Sequence, residues 1–144
     1  PQYSFRGEGC ADRQLLTEHL PTLDAQVRGL HVGSFSLVVE PVAETLLQLV
    51  QREHQQRLIS LDPNVRLGPA PDLAHWRERV ETFAGYAHLI KVSEEDLQLL
   101  YPERDLRQVA ATGAEANGPK PPVVAQLAGG DTWCVTRTAQ RLSF

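Results

Sequence analysis

Asp62, Asn64 and Arg66 are an acid, an amide and a cation at alternate positions, set directly behind the apolar run Leu58-Ile59-Ser60-Leu61. A short strand-forming run that breaks into such residues reads as a buried parallel strand ending at a binding crevice, at the carboxyl edge of a sheet. Pro63 holds its own φ at about −65° and keeps Asp62 extended, so the three polar side chains leave the strand in a fixed order with alternating directions. Ligand chemistry on a rigid support is one reading. The other is a turn whose Asp and Asn bond only local backbone, and both stay open on this stretch alone. A second polar cluster, Ser93-Glu94-Glu95-Asp96, follows His88-Leu89-Ile90-Lys91-Val92. Ser followed three residues later by an acid is a capping-box-like helix start, and acids there suit the helix dipole.

Other chemistries lack the residues they need. The five His, at 19, 31, 54, 75 and 88, form no H-x-x-x-H pattern, and Cys10 and Cys134 are too far apart for metal or disulfide-framework spacing. Ser34 follows Gly33 without the G-x-S-x-G elbow of a hydrolase. The 144 residues carry 14 basic and 18 acidic side chains, a net charge of −4. No Lys/Arg cluster is long enough to track a phosphate backbone, so no nucleic-acid partner is expected. No apolar run reaches the roughly 18 residues of a membrane span, and no signal peptide is expected, which makes a soluble, cytoplasmic chain without a membrane partner the expectation. A first residue Pro, the absence of Met and strand-like ends lead us to expect part of a longer chain.

These residues need a sheet to hold them. Tyr3 to Arg13 alternates around Gly7-Glu8-Gly9 as a short hairpin would, and Leu15 to Leu23 suits one or two helical turns. Gly29-Leu-His-Val-Gly33 is a strand, and Glu40-Pro41 opens a helix whose apolar face is Val42, Ala43, Leu46, Leu47, Leu49 and Val50. The strand at 58–62 completes a β-α-β unit. Asp72 caps a helix with Leu73, Trp76, Val80 and Phe83 buried and Gly85 at its end, followed by a strand at 88–92 and a helix from Ser93. Alternation of strand and helix argues for parallel strands joined by crossovers. Leu46, Leu58, Ile59, Trp76 and Ile90 are expected in one core. Residues 105–111 read as a short helix, 112–122 as a surface loop, 123–128 as a final helical turn and 132–136 as a fourth strand.

Five segments in this order resemble the PfkB (ribokinase-like) family of sugar kinases, and within it the bacterial fructokinase-like branch. They are Phe5-Arg-Gly-Glu-Gly-Cys-Ala-Asp-Arg13, Leu30-His-Val-Gly-Ser34, Ile59-Ser-Leu-Asp-Pro-Asn-Val-Arg66, Lys91-Val-Ser-Glu-Glu-Asp-Leu97 and Val135-Thr-Arg137. The resemblance implies a three-layer, mainly parallel α/β sheet with helices on both faces and a short N-terminal lid hairpin, here an incomplete domain. Residues 1–14 would be a lid-like β segment and 15–144 a partial kinase core.

It also implies transfer of the γ-phosphoryl group of ATP, with Mg2+, to a hydroxyl of fructose or a related sugar. Phe5, Arg6, Asp62, Asn64 and Arg66 are then candidate substrate contacts, with Arg66 on an anion because a guanidinium can bond two oxygens at once. Lys91, Ser93, Asp96 and Thr136 are candidate nucleotide or phosphate contacts, and Asp96 a metal contact through water. Ser93 and Asp96 stand where the family has an N-x-x-E motif, and Thr138 stands where it has a glycine. No catalytic residue is assigned, since the family's general base, in a G-A-G-D motif, is expected beyond Phe144. Ala128-Gly129-Gly130-Asp131 is rejected as that motif because it precedes the Val135-Thr136 strand. The resemblance allows a homodimer through the lid strands, and these residues alone are expected to be inactive. The alternatives are a non-catalytic α/β remnant or interaction module of the same fold, and a nucleoside kinase of the same superfamily.

Overall fold

The computed structural model describes residues 9–104, 123–126 and 132–135. Their strands and helices alternate as β1 (Gly29–Gly33), α1 (Val42–Glu53), β2 (Leu58–Asp62), α2 (Leu73–Ala84), β3 (Leu89–Ser93) and α3 (Glu94–Leu100), followed by β4 (Val123–Gln126) and β5 (Thr132–Val135). The strands form one sheet in the order β1-β2-β3-β4-β5, parallel from β1 to β4 and antiparallel between β4 and β5. The expected α/β architecture with a mainly parallel sheet is observed.

The register explains the core. Val32 stands opposite Leu61 and Leu61 opposite Ile90, so one row of apolar side chains crosses three strands, with Leu30 and Ile59 forming the neighbouring row. Ile59 and Leu61 are fully buried, and they share a single cluster with Leu47 and Val50 of α1, Trp76, Val80 and Phe83 of α2, and Leu97 and Leu100 of α3. Alternation within each strand sends the other residues to the opposite face. Leu58, expected in the core, is therefore 52% exposed, because it lies two residues from Ser60 and four from Asp62 on the half-open side of β2. A continuous apolar run suggested burial on both faces; the strand is buried on one.

Local chemistry ends the helices where expected. The Asp72 carboxylate accepts from the amides of Ala74 and His75, and Gly85 follows α2 in helical geometry. Trp76 fills the core and donates its indole N–H to the Ala70 carbonyl at 2.8 Å. Residues 15–23 form only a 3-10 turn at Thr17–His19 instead of a regular helix. Their leucines make no buried stripe, and the segment is held along α1 and the turn that follows it by polar bonds: Thr45 Oγ1 to the Leu15 carbonyl, Arg52 to that of Pro21 and Arg57 to that of Leu23. Glu53, itself buried, accepts from Arg52 at 2.7 Å and faces Arg57 at 3.3 Å, so these charges are paired where the chain turns into β2.

The helical turn expected at 123–128 is corrected: Val123–Gln126 is β4, paired with β3 from Ile90↔Val123 to Ser93↔Gln126. A run this short has no periodicity that separates helix from strand, and the open backbone edge of β3 decides it. Thr132–Val135 is the expected fourth segment of strand, turned antiparallel. Residues 9–13 carry a turn and a 3-10 turn at Ala11–Arg13, while 1–8, the loop at 112–122 and the short helix expected at 105–111 lie outside the described residues.

Candidate functional site

The carboxyl ends of β1, β2 and β3 meet, and each sends out a polar segment there. Gly33 ends β1, and a Cβ at this position would collide with the Asp62 carbonyl, so the strand exits approach this closely only because residue 33 has no side chain. The next residue, Ser34, adopts the left-handed region at φ 57°, as does Asn64 at φ 40°. Non-glycine residues in that region are uncommon, and two of them face each other here. The Ser34 amide donates to the Pro63 carbonyl at 3.0 Å, and its hydroxyl to the Asn64 carbonyl at 3.3 Å. Both positions are held by bonds between two strand exits, which offsets the local cost.

Burial alternates along the segment after β2: Pro63 and Val65 are buried, whereas Asp62, Asn64 and Arg66 are half-buried. The apolar pair anchors the segment in the core and leaves the three polar side chains at its surface. Asp62 accepts from the Lys91 ammonium on β3, Nζ to Oδ2 2.9 Å. Its other oxygen, Oδ1, is buried and has no hydrogen-bond partner among the described residues. A buried acceptor of this kind is costly unless a donor reaches it. Arg66 turns Nη1 onto the carbonyl of its own neighbour, Val65, at 2.8 Å.

Ser93 caps α3 by accepting from the Asp96 amide at 3.1 Å, and its hydroxyl donates to Asp96 Oδ2 at 2.7 Å. The other oxygen of Asp96 accepts from the Val65 amide at 2.9 Å. Asp96 is almost fully buried, with both carboxylate oxygens engaged inside the protein. The helix cap expected of Ser93 is thus formed, with the Asp96 carboxylate taking the Ser93 hydroxyl, and the carboxylate reaches on to the exit of β2. Among the described residues, no group of three or more His, Cys, Asp or Glu could hold a metal ion.

Of the residues singled out in the sequence, Asp62, Asn64, Arg66, Lys91, Ser93 and Asp96 come together at this edge of the sheet. Phe5, Arg6 and Thr136 lie outside the described residues. Gly33 and Ser34 were not anticipated as parts of the site. Their signal was a glycine and a serine directly after a strand, but a left-handed serine cannot be told from an ordinary turn residue by sequence.

No family model matches the chain. It is similar to the fructokinase of Rhizobium leguminosarum bv. trifolii, 40% identical over 95 residues, which are 66% of this chain and 29% of that protein. It is also similar to probable fructokinase-4 of Arabidopsis thaliana, 31% identical over 102 residues covering 69% of this chain and 31% of the relative. The chain therefore spans about three-tenths of the length of these curated relatives. Among solved structures, the fructokinase from Vibrio cholerae O395 with bound fructose, ADP and calcium ion superposes with a TM-score of 0.77 at 25% identity, covering 93% of this chain and 43% of that one. The aminoimidazole riboside kinase from Salmonella enterica, complexed with aminoimidazole riboside and an ATP analog, superposes with a TM-score of 0.80 at 17% identity over 95% of this chain and 46% of that one, which bears on the fold alone.

Proposed function

The chain belongs to the PfkB, or ribokinase-like, family of sugar kinases, and on that premise we propose that the whole protein transfers the γ-phosphoryl group of ATP to a hydroxyl of fructose or a related sugar. The observation that carries this reading is the convergence of polar side chains at the carboxyl edge of the sheet: Asp62, held by Lys91, with the half-buried Asn64 and Arg66 leaving β2 beside it. A half-buried carboxylate can accept from a sugar hydroxyl, and Asn64 beside it can donate and accept.

In this reading Asp62 and Asn64 bind sugar hydroxyls, and Arg66 meets the anionic charge that phosphoryl transfer brings to the site. Lys91 keeps further N–H donors beyond its bond to Asp62 and can share that charge. Phe5 and Arg6 as lid contacts to the sugar and Thr136 as a nucleotide contact rest on the family resemblance. ATP is the phosphoryl donor. Magnesium, when bound, neutralises phosphate charge; the described residues do not gather a metal-ligand set, and no step is assigned to it. The reading carries a cytoplasmic location and allows a homodimer through the lid strands. No helix among the described residues is long and apolar enough to cross a membrane.

The test is fructose-dependent ADP release by the whole protein and by these 144 residues separately. The whole protein should turn over, and Arg66→Ala should lower kcat/KM by about tenfold or more, the worth of a lost charge-assisted bond. The 144 residues alone, whose matched part covers about three-tenths of the relatives' length, should show no turnover. Absence of both fructose binding and ADP release in the whole protein would leave a non-catalytic α/β module.

A further inference from the structure

We propose that Asp96 is a positioning residue, a latch that fixes the exit of β2 and thereby aims Asn64 and Arg66, and that its carboxylate does not bind metal or phosphate. The proposal rests on the sugar-kinase reading only for what the aimed residues do; the latch itself stands on geometry.

Four bonds from three places hold the exit of β2. Lys91 on β3 donates to Asp62, Ser34 after β1 donates its amide to the Pro63 carbonyl and its hydroxyl to the Asn64 carbonyl, and Asp96 on α3 accepts from the Val65 amide. Asn64, at φ 40°, lies between the bonded Pro63 carbonyl and the bonded Val65 amide. A residue in that backbone region is retained only when its surroundings over-determine it, and the Val65 amide is the next backbone donor in the chain. Asp96 is well suited to the task. It is 4% exposed, one oxygen is taken by the Ser93 hydroxyl and the other by the Val65 amide. A metal or phosphate contact would need an oxygen facing solvent, and a magnesium ion, which keeps several of its waters, would need more of the carboxylate open than the 4% exposed here. The bonds Asp96 makes need one acceptor toward Val65 and one polar atom toward Ser93, and a carboxamide supplies both.

The experiment compares Asp96→Asn with Asp96→Ala, reading hydrogen exchange of the Val65 amide against the Leu61 amide of β2 in this chain. Asp96→Ala should lower Val65 protection by about tenfold or more, the equivalent of a lost charge-assisted hydrogen bond, with Leu61 unchanged. Asp96→Asn should keep Val65 within about threefold of the parent, since only the charge on the acceptor is lost. Unchanged Val65 protection in Asp96→Ala overturns the latch. If Asp96→Ala does not fold, Asp96→Asn decides: protection lost at Val65 with Leu61 intact overturns the proposal, and protection kept supports it.

The second readout is sugar phosphorylation by the whole protein. Asp96→Asn should retain kcat/KM within about threefold, whereas a metal or phosphate ligand would not survive loss of its charge. Activity abolished in Asp96→Asn with Val65 still protected overturns the proposal. If the parent protein phosphorylates no sugar, the function reading fails and the exchange experiment still decides the latch.

Discussion

Lys91 and Asp62, on neighbouring parallel strands, meet with Nζ 2.9 Å from Oδ2, while Oδ1 of the same carboxylate is buried without a hydrogen-bond partner among the described residues. The ammonium thus fixes the carboxylate at the carboxyl edge of the sheet. Because the Lys91 side chain is 41% exposed, the pair contributes little to stability, about 1 kcal/mol or less. Lys91→Met should cost no more than that in urea unfolding, yet raise the fructose KM of the whole protein by about tenfold. A larger stability loss with an unchanged KM would make the pair structural only.

Gly33 and Asp62 set how closely the exits of β1 and β2 approach. A methyl group at residue 33 meets the Asp62 carbonyl, which is backbone and cannot swing away. Gly33→Ala should destabilise the chain by about 2 kcal/mol or more, the scale of overpacking that forces a backbone shift. A urea midpoint equal to the parent's would mean that the exits separate at no cost, and that the close approach is not required.

Asn64 separates the ligand reading of its segment from the turn reading. At φ 40°, Asn64→Ala should cost about 1–2 kcal/mol, because a β-carbon is crowded in the left-handed region. Asn64→Gly should stay within about 0.5 kcal/mol of the parent, since glycine enters that region freely. If the carboxamide binds sugar, Asn64→Gly is stable and weak in fructose binding, as calorimetry on the whole protein would record. Full binding by that variant would leave Asn64 as a turn residue.

Tyr101 gives the chain an alkaline limit. Burial, then the hydrogen bond its hydroxyl donates to Glu81 at 2.9 Å and the charge on that carboxylate, push the phenol above its ordinary value of 10.0. The folded state favours the neutral phenol. The contribution is therefore complete below pH 10.0 and is lost as pH rises beyond it, where the unfolded chain ionises first. Stability of the parent should fall above about pH 10 more steeply than that of Tyr101→Phe, measured by urea unfolding across that range. Parallel curves for the two proteins would assign the alkaline loss elsewhere.

The sequence by itself determined what depends on neighbours within a few positions. Periodicity of Val42 to Val50 and of Trp76 to Phe83 specified two helices, Asp72 and Ser93 specified their own caps, and Leu58 to Asp62 specified a strand that ends at Pro63. Tertiary structure decided whatever depends on a partner far along the chain. Leu58 is exposed because the helices cover the Ile59 and Leu61 face. Residues 123–126 are a strand because β3 offers them an edge. Ser34 and Asn64 are left-handed because two exits about 30 residues apart bond to each other. Asp96 shows the difference most clearly. Its position three residues after Ser93 announced a helix cap, which is local, but its second oxygen reaches the Val65 amide 31 residues earlier in the chain. Backbone propensity and spacing act over a turn of helix or a pair of strand residues, whereas the choice of hydrogen-bond partner across a sheet edge exists only once the strands are side by side.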